Sequence, residues 1–305
     1  MLSTTDVPLR RGSRPAPPPG ARTATRGRRL WAVARRHPAA AVAAGFLLVL
    51  AAASLCAPIL PLPDPVRVDS PSATLGFGTA GHLLGTDRLG RDILSRLIWG
   101  ARPSLIMGLA PVLIGGFIGT TLGVTAGMSG PRVRAVIMRT LDVFYAFPAV
   151  LLAIAIAAAL GAGMTTAIIA ITVIVVPPVA RLAESEVLGM MRKDFMLSAR
   201  ASGARQLSIA LRQVMPNVAG PLVVYCTALV GLSIVYAAGL GFLGLGLNPP
   251  TPEWGAMVNE LRTLVFSQPW VSLTPAVVLL LVSIAFNVLG DGLRDVLAVG
   301  RGTQL

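Results

Sequence analysis

Residues 143–180 read VFYAFPAVLLAIAIAAALGAGMTTAIIAITVIVVPPVA, 38 residues without a charge. One crossing of a bilayer needs roughly 20 apolar residues, so this run has length for about two. Whether the chain crosses here once or twice decides on which side everything after it lies. The flanking charges settle the question.

The rest of the chain is of the same kind. Of its 305 residues 54% are hydrophobic and 13% charged, and the mean hydropathy is +0.74. In an average soluble domain about a quarter of residues are charged. Further uncharged runs occupy 39–63, 103–131, 213–252 and 263–290, each long enough to span a membrane. Basic residues crowd the N-terminal tail, residues 132–139 (Arg132, Arg134, Arg139), residues 181–212 (Arg181, Arg192, Lys193, Arg200, Arg205, Arg212) and the C-terminus (Arg294, Arg301). The segments 64–102 and 253–262 instead balance Arg67, Arg88, Arg91, Arg96, Arg102 and Arg262 with six acids. Lys and Arg accumulate on the cytoplasmic side, so the basic segments belong inside and the neutral ones outside.

Run 39–63 then leads out, 103–131 returns, and 143–180 joins two inside segments, so it holds an even number of spans. Its turn is GAGMTT at 161–166, where glycine tolerates the backbone angles of a tight reversal. Run 213–252 joins inside to outside and holds one span; its surplus, GFLGLGLNPPTP, reads as irregular or re-entrant. Run 263–290 comes back. The expectation is an all-α polytopic membrane protein with six transmembrane helices and both ends cytoplasmic. Its parts are a disordered basic tail (1–38), a first helix (39–63), an extracytoplasmic loop (64–102), a five-helix core (103–297) with a cytoplasmic loop at about 181–216, and a short tail (298–305).

The N-terminal tail, RRGSRPAPPPGARTATRGRR at its centre, lacks the apolar periodicity that could offset the entropy of ordering. It anchors the topology, and a polybasic segment beside a span can also touch anionic lipid. A cleaved signal is disfavoured. In LAAASLC (50–56) the bulky Leu55 precedes the cysteine where a cleavage box needs a small residue, and many spans follow.

Catalytic chemistry finds little support. Cys56 and Cys226 are isolated thiols, and His37 and His82 make no metal-ligand pair, so no metal site is expected. GMSG at 127–130 resembles the serine motif of rhomboid intramembrane proteases, but no histidine follows His82 to serve as base. The chain's one lysine, Lys193, follows an arginine, so a GK[ST] phosphate loop cannot be written anywhere. ATP, if used, binds to another subunit. No acid or base lies near the middle of a span, which counts against a proton-driven carrier. No catalytic residue and no nucleic-acid partner are assigned.

Two patterns remain. Gly115, Gly119, Gly123 and Gly127 recur every four residues along one side of a span, a spacing that lets a neighbouring backbone approach, inside the fold or in another subunit. The polar island RKDFMLSARASGARQLSIALRQVMPN (192–217) places Phe195, Ala199, Gly203, Leu207 and Leu211 at four-residue steps. A continuous helix would align them, whereas Gly203 can equally mark a turn between two short helices. Such a face suits docking.

This island resembles the EAA loop of bacterial ABC-importer permeases, a pattern of Glu-Ala-Ala, three residues, Gly, nine residues, then Ile-x-Leu-Pro. Here it runs Leu197-Ser198-Ala199, Gly203, then Gln213-Val214-Met215-Pro216, with leucine in place of the glutamate. Four further strings resemble the C-type permease of dipeptide, oligopeptide and nickel importers: HLLGTDRLGRDILSRLIWGARPSL (82–105), LDVFYAFPAVLLAIAI (141–156), GFLGLGLNPPTPEWGAM (241–257) and AFNVLGDGLRDVL (285–297). The resemblance implies a type I ABC-importer permease in a bacterial inner membrane. It implies as partners a homologous second permease, two cytoplasmic ATPases that bind ATP and Mg, and an external solute-binding protein. It makes Phe195, Leu197, Ser198, Ala199, Arg200, Gly203, Leu207 and Pro216 the ATPase-coupling loop, with Leu197 rendering the docking face more apolar.

In the outer loop, Asp87, Arg88, Arg91 and Asp92, with Arg96, alternate charge at helical spacing, as in an amphipathic segment at the outer interface. Two readings stand: the segment faces the binding protein, or its charges bridge internally and shape the loop. A secondary carrier or channel working without ATPases is the rival from another class; it calls for inverted repeats and midplane polar groups. The cargo is not legible in the spans.

Overall fold

The computed structural model describes residues 37–302, and within them all side chains but those of 197, 199, 200 and 298–302. The expected disordered tail therefore lies almost wholly outside the described residues, as do the side chains of the C-terminal tail. Among the described residues the chain is helical; two isolated bridges, Thr79–His82 and Thr86–Asp92, are its only β pairings.

The main helices are α1 (Pro38–Cys56), α2 (Ile93–Met128), α3 (Pro131–Tyr145), α4 (Ala149–Leu160), α5 (Met164–Met191), α6 (Asp194–Ala201), α7 (Gln206–Ile209), α8 (Met215–Phe242), α9 (Trp254–Leu261) and α10 (Pro269–Gly302). Five of them (α1, α2, α5, α8 and α10, with short extensions) are long and apolar enough to cross a membrane. The bent pair α3 with α4, folded through 85°, passes the same test only when its two helices are taken together, as a broken span or a re-entrant loop.

That bend refines the reading of run 143–180. The run does hold two helical passages around a glycine turn, with Gly161 and Gly163 both at positive φ (90° and 155°). However, α4 has only 12 residues, about 18 Å at 1.5 Å per residue, against about 42 Å for the 28 residues of α5. The break has a local cause. Pro148 has no N–H to donate and steers Phe147 out of the helical region. Below it, α3 carries Arg132, Arg134, Arg139 and Asp142 and meets α5 through ion pairs of Arg134 with Glu184 and Asp142 with Arg181.

Another difference concerns 64–102. α2 begins at Ile93, ten residues before the uncharged run, because Asp92 caps it by accepting from the Ser95 N–H at 2.7 Å. The end of the expected loop is therefore the start of a 36-residue helix.

The core forms where α2 crosses α5. Cβ atoms placed at Gly115, Gly119, Gly123 and Gly127 would lie 2.8, 2.7, 2.3 and 2.8 Å from atoms of α5, among them the carbonyl oxygens of Val176 and Ala180. The glycine stripe thus seats α5 backbone against α2, inside the chain. Ala180, Ala183 and Val187 opposite are fully buried.

The end holding residues 57–92, the turn at 161–163 and residues 243–268 is tied together by polar groups. Glu253 (1% exposed) caps α9, accepting from Gly255 N–H at 2.7 Å and Ala256 N–H at 2.8 Å. Burial pushes its carboxyl above the usual carboxylate range, and the two N–H donors pull it partly back. Trp254, fully buried, donates its indole N–H to Leu97 O at 3.0 Å. Gly241 leaves room for the carboxylate, since a Cβ there would meet Glu253 Oε2 at 2.0 Å. Glu253→Gln turns one acceptor into a donor facing a backbone N–H. We expect a loss of about 1–3 kcal/mol, the cost of an unmatched buried polar group, read as a lower melting temperature of the purified complex.

Candidate functional site

Three places on this framework hold the groups that the sequence singles out or that the fold brings together. The first is the island between α5 and α8. α6 ends at Ala201, the chain turns through Gly203 at φ +74°, and α7 follows from Gln206. The continuous four-residue face therefore breaks at Gly203, the turn between two short helices. Residues 210–214 then wind as one π turn into α8, where Pro216 sits in the first turn and needs no N–H partner.

The island presents two faces. Met196, Ile209 and Val214 are buried and fasten it to the bundle, while Phe195 (45%), Leu207 (70%) and Leu211 point outward beside exposed Arg205 and Arg212. Ser198 is exposed and its hydroxyl donates to Asp194 O at 3.0 Å. Leu197, Ala199 and Arg200 lie in α6, but their side chains fall outside the described ones. A Cβ at Gly203 would meet no atom within 4 Å, so the turn faces open space.

The second place is the segment Asp87–Asp92 at the opposite end. Here the structure departs from the expectation of an exposed amphipathic segment. Asp87, Arg91 and Asp92 are buried, and of the four only Arg88 is exposed. Arg91 donates to Asp87 Oδ2 at 2.6 Å and to Glu260 Oε2 at 2.8 Å; Arg96, 1% exposed, donates to the same Glu260 oxygen at 2.7 Å. Asp92 accepts from Ser95 and lies 2.9 Å from His82 Nδ1. Internal bridging explains why the charges alternate: the guanidiniums and carboxylates neutralise one another inside a folded loop and clamp it to α9.

The third place was not found by sequence reasoning. A cavity of about 310 Å³ opens where the α3–α4 elbow meets α5 and α8. All three tyrosines of the chain line it: Tyr145 at the elbow, Tyr225 and Tyr236 on α8. Phe144, Phe147, Pro177, Pro178 and Ser233 complete much of its wall. The signal was available, since positions 225, 229, 232–233 and 236 recur on one face of a helix. It was hidden because Tyr145 joins them only through the fold.

These features define a class: a helical membrane component with a polar, partly exposed segment at one end, a charge-clamped loop at the other and a cavity between. Residues 119–300 match the family described as binding-protein-dependent transport system inner membrane component, and the chain belongs to that family. Among its relatives, the glutathione transport system permease protein GsiD of Pectobacterium atrosepticum is 41% identical, over 86% of this chain and 87% of its own. The di/tripeptide transport system permease protein DppC of Pseudomonas aeruginosa is 42% identical, over 83% and 85%. The dipeptide transport system permease protein DppC of Alkalihalophilus pseudofirmus is also 42% identical, over 75% of each. The fold is similar to a chain of the inward-facing MetNI methionine ABC transporter, with a TM-score of 0.57 and 20% identity over 67% of this chain and 97% of that one. The chain is accordingly a permease subunit of the ABC-importer type, an inner-membrane component.

Proposed function

We propose that this permease subunit passes peptides across a bacterial inner membrane, with both of its termini cytoplasmic. It works with a homologous second permease, two cytoplasmic ATPase subunits and an external solute-binding protein. The peptide cargo is supported by relatives named for dipeptide, tripeptide and glutathione transport. The chain itself carries no ATPase site and holds no cofactor; ATP and Mg bind to the ATPase subunits. The absence of any GK[ST] string supports this division of labour.

One observation carries the coupling role. The island exposes Phe195, Leu207 and Leu211 at the bundle end that also holds Arg132, Arg134 and Arg139, the end the positive-inside bias puts in the cytoplasm. Large apolar side chains on a water-facing surface mark a docking site. An ATPase gripping this surface and moving as ATP binds transmits a rigid-body shift to α5 and α8, which the island joins directly.

Gly203 separates this role from a simple loop. Valine there opposes the left-handed turn by about 1–2 kcal/mol, whereas asparagine tolerates it. In the assembled complex we expect Gly203→Val to lower ATPase activity stimulated by the loaded binding protein by about tenfold, the factor that about 1.4 kcal/mol represents. Gly203→Asn should retain most of it. Full stimulation in the valine variant would remove the coupling role from this segment.

A further inference from the structure

We infer that the cavity between the α3–α4 elbow, α5 and α8 is a contact station for the amide backbone of the travelling peptide. The inference rests on the peptide-import reading above. It starts from Ser233, a residue of the cavity wall that is 1% exposed and whose buried hydroxyl has no hydrogen-bond partner among the described residues. Hydroxyls in a span ordinarily bond back to the carbonyl four residues earlier. In this chain Thr121, Thr125, Thr172, Thr227 and Thr274 all do so, at 2.7–2.8 Å. Ser233 does not, and a buried polar group left unpaired inside a membrane is costly unless something else comes to pair with it.

Backbone acceptors lie close by. Pro177 and Pro178 lie inside α5 and carry no N–H, so the carbonyls of Val173 and Ile174 lose their helical donors. Ile174 itself lines the cavity. Opposite, the elbow at residues 146–148 leaves the helical path, and non-helical backbone at membrane depth persists where it borders a cavity or is buried in protein. α4 is about 18 Å long at 1.5 Å per residue, and Phe147 of the elbow shares the cavity wall with Ile174, Pro177 and Pro178.

The chemistry of the wall selects the ligand. Tyr145, Tyr225 and Tyr236, with Ser233 behind them, carry neutral hydroxyls that both donate and accept, and among the described residues no charged side chain lines the space. Such a wall matches the N–H and C=O groups common to every peptide and gives little preference for any charged side chain. Its volume of about 310 Å³ lies at the lower end of small-ligand sites. Neutral contacts also hold the cargo weakly enough to release it, as passage requires.

The test uses the whole complex in liposomes, with the second permease, the ATPases and the binding protein, and radiolabelled alanyl-alanine as probe. Uptake per ATP hydrolysed is measured for the unaltered complex and for Tyr225→Phe, Tyr236→Phe and Ser233→Ala combined, changes that delete hydroxyls and keep the packing. We expect at least about a fivefold fall, the effect of losing one or more hydrogen bonds. A photoreactive benzoylphenylalanine in place of Tyr236 should label the dipeptide during turnover. Unchanged uptake per ATP in the triple variant overturns the assignment alone. So does labelling confined to lipid or to the second permease and undiminished by excess dipeptide. No uptake by the unaltered complex removes the peptide-import reading and this assignment with it.

Discussion

Gly123→Leu should leave almost no assembled complex in the membrane. A Cβ at this position would lie 2.3 Å from Ala180 O and 2.6 Å from Ala183 Cβ, and neither atom belongs to a flexible side-chain end. The two helices can make room only by separating, which also undoes the contacts around Gly119 and Gly127. Overpacking a well-packed core costs about 1–3 kcal/mol for a few added methylenes, and a leucine against backbone exceeds that range. Gly45→Leu is the control, because its Cβ would meet no atom within 4 Å in α1. Quantifying purified complex for the two variants checks the claim: near-normal yield for Gly123→Leu would mean that α2 and α5 are not held as described.

Glu260→Ala comes second. This one carboxylate accepts from both Arg91 and Arg96, whose side chains are 7% and 1% exposed. Asp87 stays within 2.6 Å of Arg91 but 3.9 Å from Arg96, so Arg96 loses its close partner. Removing one member of a buried ion pair leaves an uncompensated charge and costs about 3–5 kcal/mol. The expected outcome is a lower melting temperature of the complex and protease sensitivity between residues 64 and 92. Adding Arg96→Met should recover part of the loss, because it removes the stranded charge. An additive double variant would show that the two groups do not interact.

The two variants probe interactions of different legibility. The glycine stripe was plain from its spacing alone, since four-residue repetition of a residue without a side chain has one geometrical meaning. Its partner was not, because nothing in residues 115–127 names α5 as the helix that fits. In the Asp87–Asp92 segment the alternation of charge was visible and its direction was not. Charges at helical spacing look alike on a solvent face and in an internal clamp until Glu260, 164 residues beyond Arg96, is seen to stand between the two arginines. Tyr145, Tyr225 and Tyr236 were the least legible, because their meeting depends on the bend at Pro148.

The sequence by itself determined that this is a multi-pass helical membrane protein in which basic and neutral segments separate the apolar runs. Hydropathy and charge act on each segment through its exchange with lipid and water, so they can be read locally. The tertiary structure decided which helix fills the glycine groove, which way the charges of Asp87–Asp92 point and where a cavity opens. Those outcomes depend on pairs of surfaces far apart in the chain, and the complementarity of two surfaces is a property of neither one alone.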